Sequence, residues 1–121
     1  MIEIIVGTVI YTATFLGCYD GDTCKVQFTN APDIIAEQTL RFEGFDTPEL
    51  RGKCKQERAK AQVAKQVTNA YMRQEGKVYS EGKRGKYGRL LVTAPALQDH
   101  LIEWDYARAY EGGERKGWCD E

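Results

Sequence analysis

Apolar and polar residues alternate over the first third of the chain, and the period then changes. The β-branched start "MIEIIV" and the stretch from Gly7 to Leu16, rich in Thr, Val, Ile, Tyr and Phe, are expected to be strand. Asp-Gly in "YDGDT" marks a tight turn. "CKVQF" then returns with Cys24, Val26 and Phe28 on one face and Lys25 and Gln27 on the other. "TNAPD" reads as a loop, and "QTLRFEGF" alternates again. From about Cys54 to Arg73, Val63, Ala64, Val67 and Tyr71 fall at helical spacing, which predicts an amphipathic helix of about five turns. "KVYSE" and "RLLVT" are two short strands around the basic turn "GKRGKYG". Pro95 opens a second helix, "ALQDHLIEWDYARAY", with Leu97, Leu101 and Trp104 on its apolar side. The tail "EGGERKGWCDE" has no period.

The order β-β-β-α-β-β-α predicts an α+β, mainly β fold: a five-stranded OB-type barrel with two α-helices. At 121 residues with 42% hydrophobic content, residues 1–121 are expected to form a single domain, with no linker and no repeat. The start has no basic leader and reads as strand and not as a signal peptide. No apolar run is long enough to cross a bilayer, so no membrane partner is expected.

Net charge is −1, but it is unevenly spread. Arg51 to Arg89 holds twelve Lys/Arg against three acids, for +9, and the remainder holds five against fifteen, for −10. That segment is either an anion-facing surface or a solvated helix face beside a lysine-rich turn. The four cysteines, Cys18, Cys24, Cys54 and Cys119, form no CxxC pair, which argues against structural zinc. Reduced thiols in a cytoplasmic setting are the favoured reading. Four cysteines allow three disulfide connectivities, and the sequence does not choose among them; Cys18 and Cys24 flank a short turn and Cys54 and Cys119 flank the basic region, so either pair is a candidate to bridge.

Four local features carry chemistry: "DGDT" at Asp20–Thr23; Arg41 with Asp46 and Glu49 beyond it; "KYGR" at Lys86–Arg89; and Tyr110. Each alone is most often a turn or a surface residue. "DGDT" does not open an EF-hand, because the fifth loop position is Cys24 and the twelfth is Ala31. Together they suit phosphodiester hydrolysis. Asp22, Asp46 and the nearby Thr47 carbonyl would hold a hard cation. Arg41 and Arg89 would grip phosphate oxygens with planar, two-pronged donors. Glu49 would orient or deprotonate the attacking water.

"DGDT", "RFEGFDTPE" and "KYGR", in that order around an amphipathic helix, resemble the staphylococcal nuclease-like (thermonuclease) family over most of the chain. The resemblance implies an OB-fold nuclease that uses Ca²⁺ to hydrolyse DNA or RNA and leaves a 3′-phosphate. It implies Asp22, Asp46 and Thr47 as metal ligands, Arg41, Glu49 and Arg89 as catalytic residues, and Lys86, Tyr87 and Tyr110 at the nucleotide. The sequence departs from the best-known members in a shortened loop after Glu49, a missing final helix and an acidic overall balance.

The expected partner is single-stranded or frayed nucleic acid, bound by a monomer with low sequence specificity. The rival is a catalytically inactive OB-fold module that binds nucleic acid or protein. Among the remaining residues, His100 is expected at a helix surface or the core edge, Trp104 in the core, Trp118 as an anchor for the tail, and Glu43 beside Arg41.

Overall fold

In a computed structural model that describes residues 1–115 and 117–119, the chain is mixed α+β and mainly strand. The strands are β1 (Ile2–Val6), β2 (Val9–Asp20), β3 (Thr23–Phe28), β4 (Glu37–Phe42), β5 (Gly44–Asp46), β6 (Lys77–Ser80), β7 (Leu90–Val92) and β8 (Arg108–Tyr110). The helices are α1 (Asp33–Ala36), α2 (Lys55–Gln74) and α3 (Pro95–Glu103).

Six strands form one sheet in the order β6-β1-β2-β3-β4-β7, and β5 and β8 form a small antiparallel pair. The two edges of the large sheet meet. Tyr79 and Thr93 exchange backbone hydrogen bonds of 2.9 and 2.7 Å, and Ser80 Oγ donates to the Leu91 carbonyl at 2.7 Å. The sheet is therefore a nearly closed barrel. Alternation fills its interior: Ile2 and Ile4, Cys24 and Val26, Leu40 and Phe42, and Val92 are all buried. Among the described helices, none is long and apolar enough to cross a membrane.

Three expectations change. The first strand is folded into a hairpin, because Gly7 adopts φ +63° and β1 turns back on β2 with Val6 opposite Val9. The long β-branched run concealed that two-residue turn. "TNAPD" leads into the one-turn helix α1, so the described residues hold three α-helices and not two. The last helix stops at Glu103. Asp105 sits at φ +62°, its N–H donates to the Ile102 carbonyl, and the Tyr106 N–H donates to the Leu101 carbonyl at 2.8 Å. This is a Schellman stop with Asp in the place glycine usually takes. The remainder of the expected helix forms β8. Trp104, at the helix end, is 52% exposed and not core. His100 is exposed as expected.

Helix α2 buries Ala61, Ala64, Thr68 and Met72, while Val63, expected inward, is exposed. Small residues on the buried face let the β2–β3 turn approach closely. A Cβ on Gly21 would lie 2.8 Å from Thr47 Cγ2 and 2.9 Å from Ala64 Cβ. Thr68 Oγ1 donates to the Gly21 carbonyl at 2.7 Å.

Both cysteine pairs are bridged, Cys18 to Cys24 and Cys54 to Cys119, so the reduced-thiol expectation does not hold. Cys18 and Cys24 are direct partners across β2 and β3. Cys54 caps α2, where its Sγ accepts the Glu57 N–H, and its bridge draws in the tail across 65 residues.

Candidate active site

Five chain segments converge on one polar cleft of about 340 Å³, whose lining includes Asp20, Asp22, Arg41, Glu49, Arg89 and Arg115. The docking of Gly21 on α2 fixes Asp20 and Asp22 at the β2–β3 turn. Arg41 stands opposite Thr23 in the β3–β4 ladder, and the Phe42 N–H donates to the Asp22 carbonyl at 2.9 Å. The ladder thus sets the separation of Arg41 from Asp22. Arg41 Nη1 lies 2.7 Å from Asp22 Oδ2, and Nη2 lies 3.9 Å from Asp46 Oδ1. Its acidic partners among the described residues are these two, not Glu43.

Asp46 ends β5, opposite Arg108 of β8. Thr47 follows, buried, and its N–H donates to Asp22 Oδ2 at 3.4 Å. Among the described residues, Thr47 Oγ1 is a buried polar atom with no hydrogen-bond partner. The loop that carries Glu49 is held from beneath by a residue the sequence reading passed over. One oxygen of the buried Glu57 carboxylate accepts the Glu49 N–H, and the other accepts the Lys53 N–H, each at 3.1 Å. Gly52 makes room, since a Cβ there would come within 2.4 Å of the Glu57 side chain.

Arg89 follows a 3₁₀ turn at Lys86–Gly88, and its Nε donates to the Lys86 carbonyl at 3.1 Å. Lys86 and Tyr110 share an adjoining groove with Arg41 and Arg89. Tyr110 OH donates to the Gly113 carbonyl at 2.9 Å. Tyr87 is at the rim, 91% exposed, with the Arg89 guanidinium 5.6 Å from its ring centre. The cleft therefore gathers Asp22, Arg41, Glu49 and Arg89, with Asp46 and Thr47 behind it and Tyr87 outside it. A separate apolar groove between α2 and α3, near Tyr71, His100 and Trp104, holds none of these groups.

Carboxyl crowding governs the electrostatics. Burial, then hydrogen bonding to Asp22 and its negative field, pushes the Asp20 carboxyl up to about 8. Burial also raises Asp46, and the Arg115 ion pair pulls it only partly back. The Arg41–Asp22 pair is nearly buried, so removing either partner leaves a stranded charge that costs about 3–5 kcal/mol.

The most consequential residue missed by sequence reading is Arg115. Its Nη2 and Nε donate to the two oxygens of Asp46 at 2.6 and 2.9 Å, and its Nη1 donates to Glu49 Oε1 at 2.6 Å. These bonds hold the Arg115 guanidinium more firmly protonated than usual. It lies in an aperiodic tail, where the available sequence signals were Trp118 and Cys119. Trp118 is 5% exposed, as expected of an anchor. The Arg108 guanidinium lies 3.9 Å from its ring centre, and Arg108 also donates to the Gly117 carbonyl.

The donors suit a hard cation in kind: closely set carboxylates, and a partnerless buried hydroxyl beside them. Among the described residues, no three His, Cys, Asp or Glu side chains are grouped closely enough to form a cage by themselves. Backbone, water and phosphate oxygens would have to complete the shell. Compared with known proteins, the chain matches no family model and no curated relative, so its function has to be read from the site itself.

Proposed function

We propose that the protein is a Ca²⁺-dependent nuclease on an OB-type barrel of the staphylococcal nuclease-like kind. It would hydrolyse phosphodiester bonds of single-stranded or frayed DNA or RNA with low sequence specificity. The observation that carries this reading is the meeting of Asp22, Arg41, Glu49 and Arg89 in one cleft. The OB-type assignment is supported by the near-closed ring; that ring holds six strands and not the expected five, because the β1–β2 hairpin contributes two.

Asp22 and Asp46, with Thr47, would hold the cation, which when bound neutralises their repulsion and polarises the phosphoryl oxygen. Arg41 and Arg89 bind the remaining phosphate oxygens and stabilise charge as it builds. Glu49, exposed at the mouth, orients the water and takes its proton as the water oxygen bonds to phosphorus. The P–O5′ bond breaks, the 5′ oxygen leaves with a proton from solvent, and the 3′ end keeps the phosphate. Lys86 and Tyr110 would contact the neighbouring nucleotide, and Tyr87 would offer a ring for stacking at the rim. The two disulfides suit an oxidising setting.

The Arg115 ion pairs favour a second reading, in which the acidic groups are permanently neutralised and the barrel only binds. Incubation with single-stranded DNA, in Ca²⁺ or in chelator, separates the two. Digestion confined to Ca²⁺ supports the nuclease, and binding without cleavage supports the module.

A further inference from the structure

Arg115 has no part in the hydrolysis described above, yet it takes up two of that scheme's carboxylates. It engages both oxygens of Asp46 and one of Glu49 at 2.6 to 2.9 Å. A guanidinium set this way supplies the positive charge that a divalent ion would bring, at the carboxylate the ion needs. The two cations repel each other at such range in a partly desolvated cleft, so they exclude one another.

Among the described residues beyond Tyr110, the tail that delivers Arg115 has no helix or strand, and side chains fasten it. Trp118 is packed against Arg108, and Cys119 is bonded to Cys54 at the start of α2. Both fastenings lie within four residues of Arg115 in sequence. They keep its effective concentration at Asp46 high without a strand or helix to hold it.

We propose that Arg115 is a tethered competitor for the divalent cation, and that the Cys54–Cys119 bridge sets how strongly it competes. This rests on the cation site proposed above. With Arg115 seated, Asp46 and Glu49 are neutralised and the site stays closed to the ion. A substrate phosphate gives the guanidinium a second anion to pair with, so nucleic acid and cation load together. The tail therefore sets the cation concentration at which the site fills.

Calorimetric titration of the oxidised full chain with Ca²⁺, without nucleic acid, tests this directly. Arg115→Gln is expected to bind Ca²⁺ about tenfold more tightly than the wild type. Cys119→Ser, which keeps Arg115 but frees the tail, should lie between them. Equal or weaker binding by Arg115→Gln overturns the competitor role while leaving the cation site standing. No binding by either protein removes the cation site, and the competitor with it. Circular dichroism checks each fold. Should Arg115→Gln not fold, Arg115→Lys, which keeps the charge but loses the two-pronged grip, is expected to bind a few-fold more tightly than wild type, and equal binding there overturns the role.

Discussion

The two sides of the cleft are built in different ways. The barrel side, with Asp20, Asp22 and Arg41, hangs on backbone ladders from β2 to β4, shifted in register twice along β2, and on the hydrogen bond from Thr68 to Gly21. The tail side, with Arg115, hangs on side-chain fastenings: one disulfide, one packed indole, and hydrogen bonds from Arg108 and Tyr110 to tail carbonyls. A ladder of backbone bonds fixes position cooperatively, whereas side-chain fastenings can be undone one at a time. On the proposed scheme, the permanent chemistry would belong to the barrel and the adjustable charge to the tail.

The largest effects should come from residues that face the substrate. Arg89→Ala and Glu49→Gln are each expected to lower turnover by about 10²–10³-fold with the fold intact, measured by initial rates on single-stranded DNA and by circular dichroism. Unchanged turnover in either variant would remove that residue from the chemistry.

A second contrast compares the two bridges. Cys54–Cys119 closes 65 residues and Cys18–Cys24 only 6, so the chain-entropy model expects the longer one to contribute ~2 kcal/mol more stability. Paired serine variants should show that ordering in denaturant melts. Serine at position 54 can still cap α2, so the loss reports the bridge itself. Equal losses would mean that the tail is held chiefly by Trp118.

The smallest effect tests the docking of the β2–β3 turn. Thr68→Val removes the donor to the buried Gly21 carbonyl and should cost about 1 kcal/mol. It should also weaken Ca²⁺ binding, because Asp20 and Asp22 flank that glycine. A stability loss with unchanged Ca²⁺ binding would show that the turn holds its shape without α2.

The barrel side was legible because its signals are local. Asp-Gly at the turn, alternation through Leu40 and Phe42, and the helical period before Arg73 each follow from a few neighbouring residues. The hairpin at Gly7 was hidden because β-branched residues run up to it on both sides. The end of α3 was hidden because an Asp took the left-handed position at 105, where no glycine announced a stop. Arg115 was beyond reach for a different reason. Its placement depends on Cys119 finding Cys54 and on Trp118 finding Arg108, contacts that no period encodes. Glu57 is similar: on a helical wheel it is one charge among several, and only the folded loop shows it accepting two backbone N–H groups.

The central claim is tested most directly by the new ends released when the purified protein is mixed with single-stranded DNA. With Ca²⁺, 3′-phosphate and 5′-hydroxyl ends should accumulate in equal number, and chelator or Glu49→Gln should suppress both. No new ends with Ca²⁺, or the same yield in chelator, would contradict it.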